Sequence, residues 1–242
     1  MRRLVFVPLL AALLAVVPSR SGSAFELIET LWYAGDFDGS GGYLNSVGTG
    51  TWKMFETFSV PDAPGWHVKQ IWSSGFNVAA DSVLQAEWSI RTDMAPGDAG
   101  TILAEDISPV TQTPTGRSYV VVMPPLNSPE YTYRVTGLDL VLPPGQYWLN
   151  VTPIAFQAVI SSTAGANGVG TPIGDAGTAL VWSSDGSHDY ASVADGFSMG
   201  VAGSVVPEPE VGALPVALAA LGLLRCVRGR LPLRPVRAAS GE

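Results

Sequence analysis

Short runs of alternating apolar and polar residues, separated by turn residues, fill residues 25–206, and no sustained 3.6-residue period competes with them. A period of two is what a strand with one buried face requires. Many such runs at close spacing specify an all-β sandwich or barrel. Residues 84–91 are the clearest case: Leu84, Ala86, Trp88 and Ile90 share one face, and Gln85, Glu87, Ser89 and Arg91 the other. Further strands are expected over residues 26–33, 51–60, 67–72, 101–105, 118–123, 131–135, 138–142, 146–152, 179–183 and 197–206. Pro61-Asp62-Ala63-Pro64-Gly65, Pro96-Gly97-Asp98, Pro124-Pro125, Pro143-Pro144-Gly145 and Ser184-Asp185-Gly186 supply the turns between them. Residues 161–177, rich in Gly, Ala, Ser and Thr, are expected to form a long surface loop. Two features favour a jelly-roll-like β-sandwich. Residues 142–149 read as strand, turn and strand, and the run 197–206 closes the body just before a proline-rich exit.

The two ends break the pattern. Arg2 and Arg3 precede an apolar run over residues 4–17, and Gly22 and Ala24 are small residues where a signal peptidase reads. A signal helix cleaved after Ala24 is expected, by general secretion, since the rest of a twin-arginine signal is missing. At the other end, Val206-Pro207-Glu208-Pro209-Glu210 leads into an apolar run over residues 211–224. Arg225, Arg228, Arg230, Arg234 and Arg237 follow. The prolines fix φ and donate no backbone hydrogen bond, so this segment is expected to be extended and open to a partner. A hydrophobic helix over the apolar run would span about 21 Å, short of the roughly 30 Å hydrocarbon core, so its hold on a membrane is expected to be transient. The alternative is a buried C-terminal helix of the domain, against which the cluster of arginines argues.

This order of proline motif, apolar run and basic tail resembles the PEP-CTERM sorting signal of Gram-negative surface proteins. The resemblance implies recognition and processing by a membrane-embedded exosortase. Val206, Pro207, Glu208 and Pro209 would then be the sorting motif, and Arg225, Arg228 and Arg230 the membrane stop. The apolar run is shorter, and the tail beyond it longer, than is usual in that family. The body is similar to uncharacterised proteins that carry this signal. The matching stretches are Leu31-Trp32-Tyr33, Gly35-Asp36-Phe37-Asp38-Gly39, Ala86-Glu87-Trp88-Ser89-Ile90-Arg91, Thr115-Gly116-Arg117, Gly145-Gln146-Tyr147-Trp148-Leu149, Ser162-Thr163-Ala164-Gly165-Ala166-Asn167 and Asp195-Gly196-Phe197-Ser198-Met199-Gly200. The implied organisation is a signal peptide over 1–24, a β-sandwich body over 25–204 and a sorting signal over 205–242. The implied role is non-enzymatic, at the cell surface or in an extracellular matrix, in association with polysaccharide. Signal peptidase, exosortase and, transiently, the inner membrane are the expected partners.

Charge separates the body from its ends. Residues 25–206 hold five Lys and Arg (Lys53, Lys69, Arg91, Arg117, Arg134) against 18 Asp and Glu, a net charge of −13. Nucleic acid is not expected as a partner, because neutralising phosphates takes clustered cations. The single cysteine, Cys226, lies beyond the body, which therefore has no disulfide and must rely on its core.

Three places carry candidate chemistry. Asp36 and Asp38 stand on alternate residues before the Gly-rich turn Gly39-Ser40-Gly41-Gly42, an oxygen-rich arrangement that suits calcium. Ser40 and Asn45 supply only neutral oxygens beyond them, and an acidic surface loop is the alternative. In residues 146–152, Tyr147, Leu149 and Val151 are expected to face inward, leaving Trp148 and Asn150 on the outer face as a platform for stacking a sugar ring. The competing expectation is that a loop or the second sheet covers Trp148. Ser187-His188-Asp189 holds the residue types of a hydrolytic triad, yet adjacency is not triad geometry, and no Gly-x-Ser-x-Gly elbow is present. A carboxylate pair of the glycosidase kind is left open by 18 acids, none of which points to a partner. No cofactor is expected beyond calcium.

Overall fold

A computed structural model describes residues 27–48, 50–61, 64–77, 82–122, 125–165 and 178–206. Fourteen strands follow one another among them: β1 (Glu29–Tyr33), β2 (Gly42–Leu44), β3 (Trp52–Val60), β4 (Trp66–Asn77), β5 (Gln85–Thr92), β6 (Thr101–Pro109), β7 (Thr111–Val122), β8 (Pro125–Leu142), β9 (Gly145–Pro153), β10 (Ala158–Thr163), β11 (Ala179–Ser183), β12 (Ala191–Val193), β13 (Gly196–Phe197) and β14 (Met199–Val205). They form two antiparallel sheets. The first runs β1-β14-β4-β10-β13, with β2 on β10 and the β7-β8 hairpin joined to β4 through β8. The second runs β12-β11-β3-β9-β5-β6. The expected signal helix and C-terminal helix lie outside the described residues. Among the described residues no helix is long and apolar enough to cross a membrane.

The period-two reading explains how the sheets pack. Ala86, Trp88 and Ile90 of β5 and Tyr147, Leu149 and Val151 of β9 point inward and meet Val68, Ile71, Ile160 and Val201 of the facing sheet in one core. Full burial of each large side chain contributes about 1.5–3 kcal/mol, and that core is the main source of stability for a body without disulfides. Leu84 departs from expectation: β5 begins one residue later, and Leu84 is 73% exposed.

β4 is the spine of the first sheet. One of its edges carries β14 and then β10, while the other carries β8 along nearly its whole length. The expected strands over 131–135 and 138–142 are one continuous strand, β8, whose register slips opposite Lys69. The run 197–206 is in turn broken at Ser198, which donates its N–H to Ser161 O and accepts from Ser74 N–H. Residues 161–163, expected in a loop, end β10 and are buried; Ser161 donates to Glu130 of β8 and Thr163 accepts from Gly165 N–H, bonds that make burial tolerable. At Val110, whose N–H bonds to Leu84 O, the chain passes from β6 in one sheet to β7 in the other, turning a corner of the sandwich.

Where β3 and β9 splay apart, a side chain fills the gap. Asn45 donates to Val151 O at 2.9 Å and accepts from Met54 N–H and from Thr152 Oγ1, while Asn150 donates to Met54 O and to Thr152 Oγ1. The amide of Asn45 stands in for a missing rung of the ladder.

Candidate functional site

The outer face of the first sheet carries a partial third layer at the end where β4, β7, β8 and β10 meet. Its foundation is Glu130 of β8, wholly buried although it is a carboxylate. β8 pairs with β7 at Tyr131↔Pro114 and Pro129↔Ser118, so Thr115, Gly116 and Arg117 bulge out opposite the single residue Glu130. Gly116 takes φ +85°, a left-handed conformation that a side chain disfavours. The bulge turns both of its flanking side chains onto the carboxylate. Thr115 Oγ1 donates to Oε2 at 2.6 Å, Arg117 Nε donates to the same oxygen at 2.6 Å, and Ser161 Oγ donates to Oε1 at 2.5 Å. All three partners are charge-assisted or hydroxyl donors, which is what a buried carboxylate needs.

Arg117 extends the network outward, with Nη2 3.1 Å from Asp36 Oδ1. Burial disfavours the guanidinium, but the hydrogen bond and charge of Glu130, with Asp36 behind them, outweigh it and raise its pKa. Tyr33 Oη donates to the same Asp36 oxygen at 2.7 Å and lies 3.2 Å from Ser198 Oγ. Burial pushes the Tyr33 phenol up strongly, with Ser198 opposing and Asp36 reinforcing the shift. Beside this chain, Phe37, Phe76 and Tyr119 pack edge-on and tilted, with centroids 4.9 to 5.7 Å apart. The segment 34–41 is thereby fastened over the sheet by an ion pair on one side and rings on the other.

Next to this lid is a hollow of ≈ 410 Å³ bordered by Ser40, Tyr43, Phe76, Tyr119, Ser162 and Asp195. Tyr43 donates to Asp195 Oδ2 at 2.9 Å, and its ring meets Phe197 edge-on at 5.4 Å. That carboxylate, with a smaller share from burial, raises the Tyr43 pKa. No protein-family model, no curated protein and no solved structure matches this chain. What the site does must therefore follow from its own residues.

Asp36 and Asp38, expected to act as a pair, are given separate tasks. Asp36 faces Arg117 and Tyr33, whereas Asp38 Oδ1 accepts from Ser40 N–H and Ser40 Oγ and stabilises its own turn. Among the described residues, no three His, Cys, Asp or Glu side chains gather in a way that would hold a metal ion. Of the two expectations for Trp148 and Asn150, burial agrees with cover and not with an open stacking platform. Both residues lie on the outer face of the second sheet as read, but Trp148 is 6% exposed and clusters with Phe55, Met94 and Leu180. Asn150 is enclosed and spends its amide on Met54 O and Thr152. Met94, from the segment after β5, packs in that cluster together with Trp182 and Tyr190, while Asn150 sits in the hydrogen-bond network of Asn45, Met54 and Thr152.

Ser187 and His188 do meet, with Oγ 3.0 Å from Nδ1, but the acid beside them is Asp185 and not Asp189. Asp185 Oδ1 accepts from Ser183 Oγ, Ser187 Oγ and Ser187 N–H, which holds its pKa down at about 2. The carboxylate engages the hydroxyl and not the imidazole, the reverse of a relay in which acid orients base and base activates serine. This is a fastened turn. Of the sorting motif, only Val206 is described, and its N–H donates to Gly65 O at 3.0 Å. Pro207, Glu208 and Pro209, together with Arg225, Arg228 and Arg230, lie outside the described residues.

Sequence reading missed Glu130, Tyr119, Tyr43 and Asp195 as members of one site. No signal in the sequence singles them out: 18 acids surround five cations in the body, and nothing marks Glu130 as the one that Arg117 meets.

Proposed function

We propose that this protein is an exported, exosortase-processed surface or extracellular-matrix protein of a Gram-negative bacterium, non-enzymatic and associated with extracellular polysaccharide. The observation that carries the proposal is the placement of β14. The last described strand is hydrogen-bonded on both sides, to β1 and to β4, and delivers the chain to Pro207 directly after the Val206–Gly65 bond. A sorting tail needs such a root: a proline tether that is accessible to a membrane enzyme yet fixed to a folded body. The apolar run and arginines beyond it supply the membrane contact and its stop. A jelly-roll-like winding accompanies this reading, supported by successive crossings between sheets at β3 to β4, β8 to β9 and β9 to β10.

Mass spectrometry of protein recovered outside the cell tests the proposal. The expected mature chain starts at Phe25 and ends near residues 207–210. Intact peptides spanning residues 211–242 in that material would reject it. A second reading, a carbohydrate-binding module, is favoured by the aromatic and hydroxyl-lined hollow beside Tyr43. In either reading, a calcium ion at Asp36 would compete with Arg117 for the same oxygen.

A further inference from the structure

We propose that the hollow between Tyr43 and Tyr119 binds neutral hexose units, an assignment that rests on the polysaccharide association proposed above and names its site and sugar class. A pyranose presents two kinds of surface, a patch of C–H groups on a ring face and a girdle of hydroxyls. The hollow offers a counterpart to each. Tyr119, half-buried and braced against Phe37 and Phe76, provides the ring surface. Asp195 adds a carboxylate acceptor to the lining, and Ser162 and Ser40 add hydroxyls, that of Ser40 as an acceptor because its proton goes to Asp38. Its volume of ≈ 410 Å³ falls in the range of about 300–1,000 Å³ typical of small-ligand clefts.

The walls are set in advance. Tyr43 is held by its bond to Asp195 and by the edge of Phe197, and Ser40 by the Asp38 turn, so binding would order few side chains. Charge selects the sugar. Arg117, two residues before Tyr119 on β7, is already shared between Glu130 and Asp36. Asp195 lines the hollow, and the body around it carries a net charge of −13. A uronic acid would bring a carboxylate to Asp195, and no cation stands among the described residues that line the hollow, so acidic sugars are disfavoured.

The test is calorimetric titration of the full-length chain, purified in mild detergent, with neutral glucan, mannan and galactan hexasaccharides and with an oligogalacturonate of equal length. Saturable binding of at least one neutral oligosaccharide is expected, with the oligogalacturonate at least tenfold weaker. Tyr119→Ala and Asp195→Asn should each weaken binding tenfold or more, with Leu103→Ala on the far sheet as an unaffected control. Should Tyr119→Ala lower the melting temperature, the exposed Asp195→Asn variant decides alone. No saturable binding of any neutral hexasaccharide at millimolar concentration would overturn the proposal. So would equal affinity for the acidic one, or unchanged affinity in Asp195→Asn. Tail processing is scored separately by mass spectrometry on the same variants. A tail left intact sinks the sorting reading without touching the titration, and a silent titration with a processed tail sinks only the site.

Discussion

Glu130 shows how one side chain can organise a surface. A carboxylate removed from water is tolerated only where its partners are complete, and Thr115, Ser161 and Arg117 between them occupy both oxygens. Arg117→Ala should therefore cost about 3 kcal/mol, the lower end of what breaking a buried pair costs, since the arginine is partly exposed. Glu130→Gln in the same chain should recover part of that loss, because no buried charge is then left over. Chemical denaturation of the two single variants and the double variant measures this, and strict additivity would refute the coupling. Asp185 makes a second prediction. Its folded pKa, about 2, lies below the ordinary value of 3.8, so the turn it fastens is stabilised above pH 4 and released as pH falls through about 2. Carboxyl chemical shifts followed from pH 5 to 1.5 should show that midpoint, and an ordinary midpoint near 4 would contradict the hydrogen-bond set. Neither residue was conspicuous in the sequence. A buried acid looks like any other acid until the strands that surround it are known.

At the level of elements, the strands were legible wherever alternation or a proline-glycine turn marked them: β11 lies where it was read, and β3, β5 and β9 within one residue at each end. β2, β10 and β12 were not: β2 and β12 are three residues each, too short to show a period, and β10 (Ala158–Thr163) is an apolar triplet followed by three hydroxyl residues, without alternation. Their pairing is imposed by neighbours. The burial of Trp148 was illegible for a related reason, since alternation gives the face of a residue but not what folds over that face. β6 raises a different matter. It ends the second sheet, its outer edge pairs with no other described strand, and Ile102, Leu103 and Ile107 on it are exposed. Glu105 and Asp106 stand at its centre, and a second copy laid antiparallel would bring acid against acid. Replacing both by threonine should therefore promote concentration-dependent association relative to the parent chain, seen by light scattering. An unchanged molar mass across the same range would show that the two acids are not what guards the edge.

At the scale of the whole molecule, the body's pH limits follow from what its core encloses. Burial raises the phenol pKa of both Tyr33 and Tyr133, and Tyr133 Oη has no hydrogen-bond partner among the described residues. The unfolded phenols ionise near pH 10 while the folded ones keep their protons, so stability should fall as pH rises beyond about 10. Tyr133→Phe should flatten that decline at little cost to the fold, and urea unfolding between pH 8 and 11.5 would show it. A flat profile in the parent chain would contradict the burial argument. The embedding of β14 between two antiparallel neighbours has a mechanical corollary. Over residues 200–203 both flanks are paired, whereas Ser204 and Val205 pair with β4 alone, so a pull directed along the strand would meet rungs on one flank first and then on both in parallel. A terminal strand at a sheet margin would instead peel one rung at a time, at a far smaller force.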